Sequence, residues 1–140
     1  MSTKKVEEMN ILVVDDEEKI CELIKIFLES AFPFRSVVTA PNAVQATQKF
    51  LNQEFDLVII DHVMPGKHGI EFIQHLRTSV KFNRMKFILI SGYLQQEDVL
   101  GVIEMGVKNI IVKPFTRQQI VSQVADLLKI NPPGTTTIEK

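Results

Sequence analysis

Four short apolar runs punctuate the chain: Ile11 to Val14, Leu57 to Ile60, Phe87 to Ile90 and Ile110 to Val112. None alternates polar with apolar residues, so strands formed there have no solvent face. Such runs belong to parallel strands covered by helices on both sides. A weaker run, Arg35 to Thr39, carries polar ends and suits an edge strand, second in chain order. Between the runs, apolar residues recur at helical spacing. Ile20, Ile24, Phe27, Leu28 and Ala31 share one face, Ala43, Ala46 and Phe50 a second, and Ile70, Ile73 and Leu76 a third. Val99, Val102 and Ile103 stripe a fourth segment, 95–105, and Ile120, Val124, Leu127 and Leu128 a fifth.

Boundary signals fall between these elements. Pro33 ends the first helix, because proline disfavours helix in the residue before it. Gly106 stands where a helix C-terminus needs a left-handed residue. Thr116 followed by Gln119 forms a capping box for the last helix. The pattern predicts β-α repeated five times, an α/β doubly wound sheet. The tail from Asn131, rich in Pro, Gly and Thr, reads as a disordered end or linker.

Composition narrows the class. The 140 residues suit one domain, and 45% hydrophobic content is enough for a sizeable core. Sixteen Lys and Arg against seventeen Asp and Glu leave a formal charge of −1, with no global basic excess for nucleic acid. Arg77, Lys81, Arg84 and Lys86 form a local basic cluster, read as solvated surface because no recognition-helix motif accompanies them. The single cysteine, Cys21, forms no internal disulfide and points to a reducing compartment; it reads as a small, partly buried side chain. The N-terminus has no signal-peptide core, and no apolar stretch approaches the roughly 18–20 residues of a membrane span. The expectation is a soluble, cytoplasmic protein. His62, His68 and His75 lie within fourteen residues but lack a zinc-like ligand pattern, and read as surface or loop histidines.

Ligands of open parallel sheets bind beyond the carboxyl ends of the strands. After the first strand come Asp15 and Asp16, after the third Asp61, after the fourth Ser91 and Gly92, and after the fifth Lys113 and Pro114. One rim thus receives three carboxylates, a hydroxyl and an ammonium. Clustered carboxylates repel, and without a counter-charge at least one pKa rises. A hard cation resolves the conflict, and Mg2+ suits one or two carboxylates plus waters and phosphoryl oxygens. Lys113 adds a point charge for a carboxylate or phosphoryl oxygen, and Ser91 a hydrogen-bond donor. No general base is paired with a serine or cysteine nucleophile. Phosphoryl transfer onto a carboxylate fits best.

Val14-Asp15-Asp16-Glu17-Glu18, Ile60-Asp61-His62-Val63-Met64-Pro65-Gly66 with Gly69, Ser91-Gly92 and Val112-Lys113-Pro114-Phe115 together resemble the response-regulator receiver domain of two-component signalling, chemotaxis-regulator-like. Each motif alone is weak; four in order at strand ends are specific. The resemblance covers residues 9–129, leaving 1–8 as an N-terminal extension and 130–140 as a tail. It implies a flavodoxin-like, five-stranded parallel sheet of order 2-1-3-4-5. It implies Asp61 as phosphoacceptor, with Asp16 ligating Mg2+ directly and Asp15 largely through water. The backbone carbonyl of Val63 matches the third protein ligand, Ser91 the switch hydroxyl, and Lys113 the lysine of the site, with a cis bond to Pro114.

The implied function is a phosphorylation-dependent switch, either stand-alone or part of a longer regulator. It is not an enzyme acting on a separate substrate; it promotes its own phosphorylation and slow dephosphorylation. The implied donor is a sensor histidine kinase or histidine phosphotransfer protein. The output surface is the fourth helix, fifth strand and fifth helix, with no direct nucleic-acid or membrane binding. The chain would be a monomer or a phosphorylation-dependent dimer. It departs from the family pattern at Ile110, often aromatic, and carries Tyr93 and Val63 beside the expected water route. Rivals remain open. An aspartyl-phosphate hydrolase wants a second acid where Val63 stands, and a phosphorylation-independent module usually loses part of the acidic pocket. A nucleotide-binding protein wants a glycine-rich phosphate loop, and neither common form occurs.

Overall fold

Every residue of the first apolar run is buried, which places it at the centre of a sheet. The computed structural model describes residues 4–63, 68–79, 85–92, 100–101, 103–104 and 106–131. Its strands are β1 (Asn10–Val14), β2 (Ser36–Ala40), β3 (Leu57–Asp61), β4 (Lys86–Ser91) and β5 (Ile110–Val112). All pair in parallel, in the order β2-β1-β3-β4-β5. The weak run is indeed an edge, with a mixed burial pattern, whereas β1 and β3 are buried throughout.

The helices are α1 (Glu18–Ala31), α2 (Ala43–Asn52), α3 (Gly69–Arg77) and, after β5, α4 (Arg117–Leu128). Period-two alternation divides each strand between two faces. Ile11, Val13, Leu57, Ile59, Ile88 and Ile90 pack with residues of α1 and α4. Leu12, Val14, Val58, Ile60, Phe87 and Leu89 pack with residues of α2 and α3. The expected fourth helix falls mostly outside the described residues, as do Tyr93, Met64 to Gly66 and the tail from 132 onward.

Local chemistry sets the helix ends. The Thr116–Gln119 box forms, with Gln119 N donating to Thr116 Oγ1 at 3.1 Å and Thr116 N donating to Gln119 Oε1 at 2.8 Å. Gly106 has φ +84°, the left-handed conformation its position called for. Helix α4 ends on Lys129 at φ 57°, and Ile130 N donates back to Ala125 O at 3.0 Å. That left-handed stop carries no glycine. Upstream of β1, Lys4 Nζ meets Asp56 Oδ1 at 3.0 Å and Val6 packs on the core, so the end of the expected extension joins the domain.

One surface expectation fails for a physical reason, and another holds only in part. Arg77 is half-buried: Nη1 donates to Met85 O at 3.0 Å, and the guanidinium stands 5.0 Å from the Phe87 ring centroid. It ties α3 to β4 and does not stand in a solvated cluster; Lys81 and Arg84 lie outside the described residues. His62 is buried, with its ring edge-on to His68 at 5.6 Å between centroids. Cys21 is fully buried rather than partly, and desolvation pushes its thiol up to about 11. A thiol held protonated in this way is a poor nucleophile.

Candidate functional site

Strand register brings the carboxylates together. Residues Ile11 to Val14 pair with Leu57 to Ile60. One step further along lie Asp15 and Asp61, both in phase with the face that carries Val13 and Ile59. Both are buried, whereas Asp16 is exposed. One ligand oxygen from each of Asp15, Asp16 and Asp61 lies within 4.8 Å of the others.

Lys113 closes the cluster from β5. Its backbone N–H donates to Ser91 O at 2.9 Å, so the ends of β4 and β5 are tied, and the Lys113–Pro114 bond is cis. Its ammonium stands 3.0 Å from Asp61 Oδ1, 3.2 Å from Glu17 Oε1 and 3.4 Å from Asp15 Oδ2. Ser91 is buried at the end of β4, beside Asp61 at the end of β3. His62 holds the turn after β3: its N–H donates to Ile90 O and its carbonyl accepts from Gly69 N, each at 2.8 Å. Val63 follows with its side chain exposed. Ile110, at the often-aromatic position, is half-buried at the start of β5.

The sequence-derived site residues Asp15, Asp16, Asp61, Ser91 and Lys113 thus converge on one rim, with Val63 beside it. Two participants were missed. Glu17 and Gly69 both stood in the motifs without a role. The signal for Glu17 was its place next to the acidic pair; nothing local pointed to its partner.

Electrostatics follow from burial. Desolvation raises the Asp15 carboxyl to about 6; the Glu17 N–H bond and Lys113 oppose that rise, and Asp61 adds to it. Desolvation also raises Asp61, against the pull of Lys113 and with repulsion from Asp16 and Glu17. Burial alone would lower Lys113, but Asp61, Asp15 and Glu17 outweigh it and raise its pKa. Asp15 Oδ2 is buried, and no hydrogen bond among the described residues reaches it. Excess negative charge and three hard donors, with only the Lys113 ammonium near Asp15 Oδ2, fit a divalent cation.

A pH effect follows. A carboxyl raised in the fold binds protons more tightly folded than unfolded. Its contribution is fully present below pH ~4 and is lost as pH rises through about 6. The largest loss is about 3 kcal/mol, at roughly 1.4 kcal/mol per unit. Urea unfolding in a chelator should therefore show wild type losing more stability between pH 4.5 and 7.5 than Asp15→Asn. Parallel pH profiles for the two proteins would contradict the assignment of this strain to Asp15.

Comparisons with known proteins bear on the family and the fold. A family model described as response regulator receiver domain matches residues 11–125. The chemotaxis protein CheY1 of Helicobacter pylori is 31% identical over 124 residues, covering 88% of this chain and 99% of that protein. The phosphate regulon transcriptional regulatory protein PhoB of Pseudomonas aeruginosa is 29% identical over 124 residues, covering 89% of this chain and 53% of PhoB. The chain spans about half the length of PhoB and likewise of ResD of Bacillus subtilis, at 53% and 49%. In fold it resembles Vibrio cholerae CheY4, with TM-score 0.78 at 23% identity over 86% of this chain and 98% of that one. No helix among the described residues is long and apolar enough to cross a membrane.

Proposed function

Because the chain belongs to the response-regulator receiver family, we propose that Asp61 is the phosphoacceptor of a signalling switch and that a phosphohistidine is its donor. The observation that carries this reading is the Lys113 ammonium 3.0 Å from Asp61 inside an acidic cluster whose Asp15 and Asp61 are buried. An Asp61 oxygen attacks phosphorus in line as the phosphorus–nitrogen bond breaks. The electron pair leaves with the imidazole, which takes up a proton, and an acyl phosphate remains on Asp61. Asp15, Asp16, Asp61 and the Val63 backbone carbonyl are the groups that would hold Mg2+. When bound, that ion supplies charge neutralisation to the phosphoryl oxygens. Exposed Asp16 suits direct ligation, while Asp15, with Oδ1 engaged by Glu17 N, suits a role through water.

The new phosphoryl oxygens bond Ser91 and Lys113 better in one conformer than in the other, and the population shifts accordingly. The readout is the face formed by the predicted fourth helix, β5 and α4, toward a protein target. The donor protein is a sensor histidine kinase or phosphotransfer protein, and the setting is the cytoplasm. The chain promotes its own phosphorylation and slow dephosphorylation and has no separate substrate. The receiver unit spans 9–129, with 1–8 as an extension and 130–140 as tail. Intact mass after incubation with acetyl phosphate and Mg2+ tests the reading. One added phosphoryl group, mapped to Asp61, is expected; an unmodified protein, or a label elsewhere, would sink it.

A further inference from the structure

The Glu17 side chain has no part in the scheme above, yet it stands at the mouth of the cluster. Its N–H donates to Asp15 Oδ1 at 2.8 Å, which pins the start of α1 to a buried carboxylate. It occupies the N-cap of α1, but its side chain makes no capping bond. The side chain instead reaches Lys113, and Nζ donates to Oε1 at 3.2 Å across a sequence separation of 96.

An ammonium carries three donors. Here three carboxylates stand within 3.4 Å of it: Asp61, Glu17 and Asp15. Their side chains differ sharply in exposure, at 6%, 62% and 2% respectively. A buried carboxylate stripped of its cation is left unpaired at high free-energy cost, whereas an exposed one is rehydrated at little cost. When a phosphoryl oxygen arrives and needs the ammonium, Asp61 is consumed as the nucleophile and Asp15 stays buried, so Glu17 is the intact carboxylate that yields at least cost.

We propose that Glu17 is a positioning residue: it holds Lys113 on the unmodified site and is exchanged for a phosphoryl oxygen when Asp61 is phosphorylated. The proposal rests on Asp61 as phosphoacceptor. Glu17 therefore opposes phosphoryl uptake and opposes the conformer in which Lys113 engages the phosphoryl group. It acts through contact with Lys113, not as a general negative charge at the entrance. Exposed ion pairs of this kind correspond to about a two- to fivefold effect.

The test is the rate of labelling by acetyl phosphate with saturating Mg2+, read by intact mass. The proteins are wild type, Glu17→Gln, Glu17→Asp, Lys113→Ala and the Glu17→Gln, Lys113→Ala double variant. Glu17→Gln should label about two- to fivefold faster than wild type. The same change should have no effect in the Lys113→Ala background, because its partner is gone. Glu17→Asp keeps the charge but shortens the reach, and should match Glu17→Gln. Wild-type rates in Glu17→Gln or in Glu17→Asp overturn the proposal, whether or not Lys113→Ala labels fast enough to compare. Equal acceleration with and without Lys113 also overturns it, since Glu17 would then merely repel the donor. A wild type that takes no label at Asp61 fails the phosphoacceptor reading instead.

Discussion

Asp61→Asn takes up no phosphoryl group from acetyl phosphate and Mg2+, yet it folds, and without a divalent cation it melts slightly above wild type at neutral pH. The first result follows from chemistry: an amide oxygen is not a carboxylate nucleophile. The second follows from the sign of the shift at this residue. Burial raises the Asp61 pKa, so its ionised form at pH ~7 costs stability that a neutral isostere does not. Loss of the Asp61–Lys113 pair works in the other direction. The ammonium still keeps Glu17 at 3.2 Å and Asp15 at 3.4 Å, so it is not left unpaired. Mg2+ dependence of the melting temperature should largely vanish, because one of the clustered carboxylates is gone. Intact mass and melting curves with and without Mg2+ check both parts. Stable labelling of Asp61→Asn, or a melting temperature as Mg2+-sensitive as that of wild type, would refute the role given to this carboxylate.

What the chain discloses depends on how local the determinant is. The β1, β3 and β4 strands are legible because a strand buried on both faces must be apolar at every position, and few other structures demand that. The polar residues that follow them are legible for the same reason, since a charge closing such a run stands at a sheet rim. Strand order is not written in the periodicity; it came from the family resemblance, and the register then accounts for Asp15 beside Asp61. Determinants set by distant partners stay hidden. Glu17 resembles any acid near a helix start until Lys113 is placed against it. Arg77 resembles a surface cation until Met85 and Phe87 surround it. His62 reads as a surface or loop histidine; it does stand in the loop after β3, yet its backbone joins Ile90 and Gly69 and the residue is buried. The left-handed stop at Lys129 lacks the glycine that marks such a site elsewhere.

Gly69→Ala should be the most damaging single-methyl change near the site. A Cβ at this position would overlap the Asp61 carbonyl oxygen and come within 3.1 Å of the Asp61 carbonyl carbon and His62 Cα. These are backbone atoms, so no rotamer change relieves the contact. Gly69 N donates to His62 O at 2.8 Å, and His62 N donates to Ile90 O at 2.8 Å. Moving α3 away breaks the first of these bonds; moving the end of β3 strains the second and carries Asp61 with it. Overpacking of this kind costs about 1–3 kcal/mol. A displaced nucleophile also loses its in-line geometry, so labelling at Asp61 should slow by about tenfold or more. Gly101→Ala is the control, because a Cβ there meets nothing within 4 Å and alanine is the better helix former. It should leave stability unchanged or slightly raised and labelling at the wild-type rate. Urea unfolding and labelling kinetics on both variants decide the matter. A Gly69→Ala protein as stable and as quickly labelled as Gly101→Ala would mean that the close approach of α3 to β3 does not set the position of Asp61.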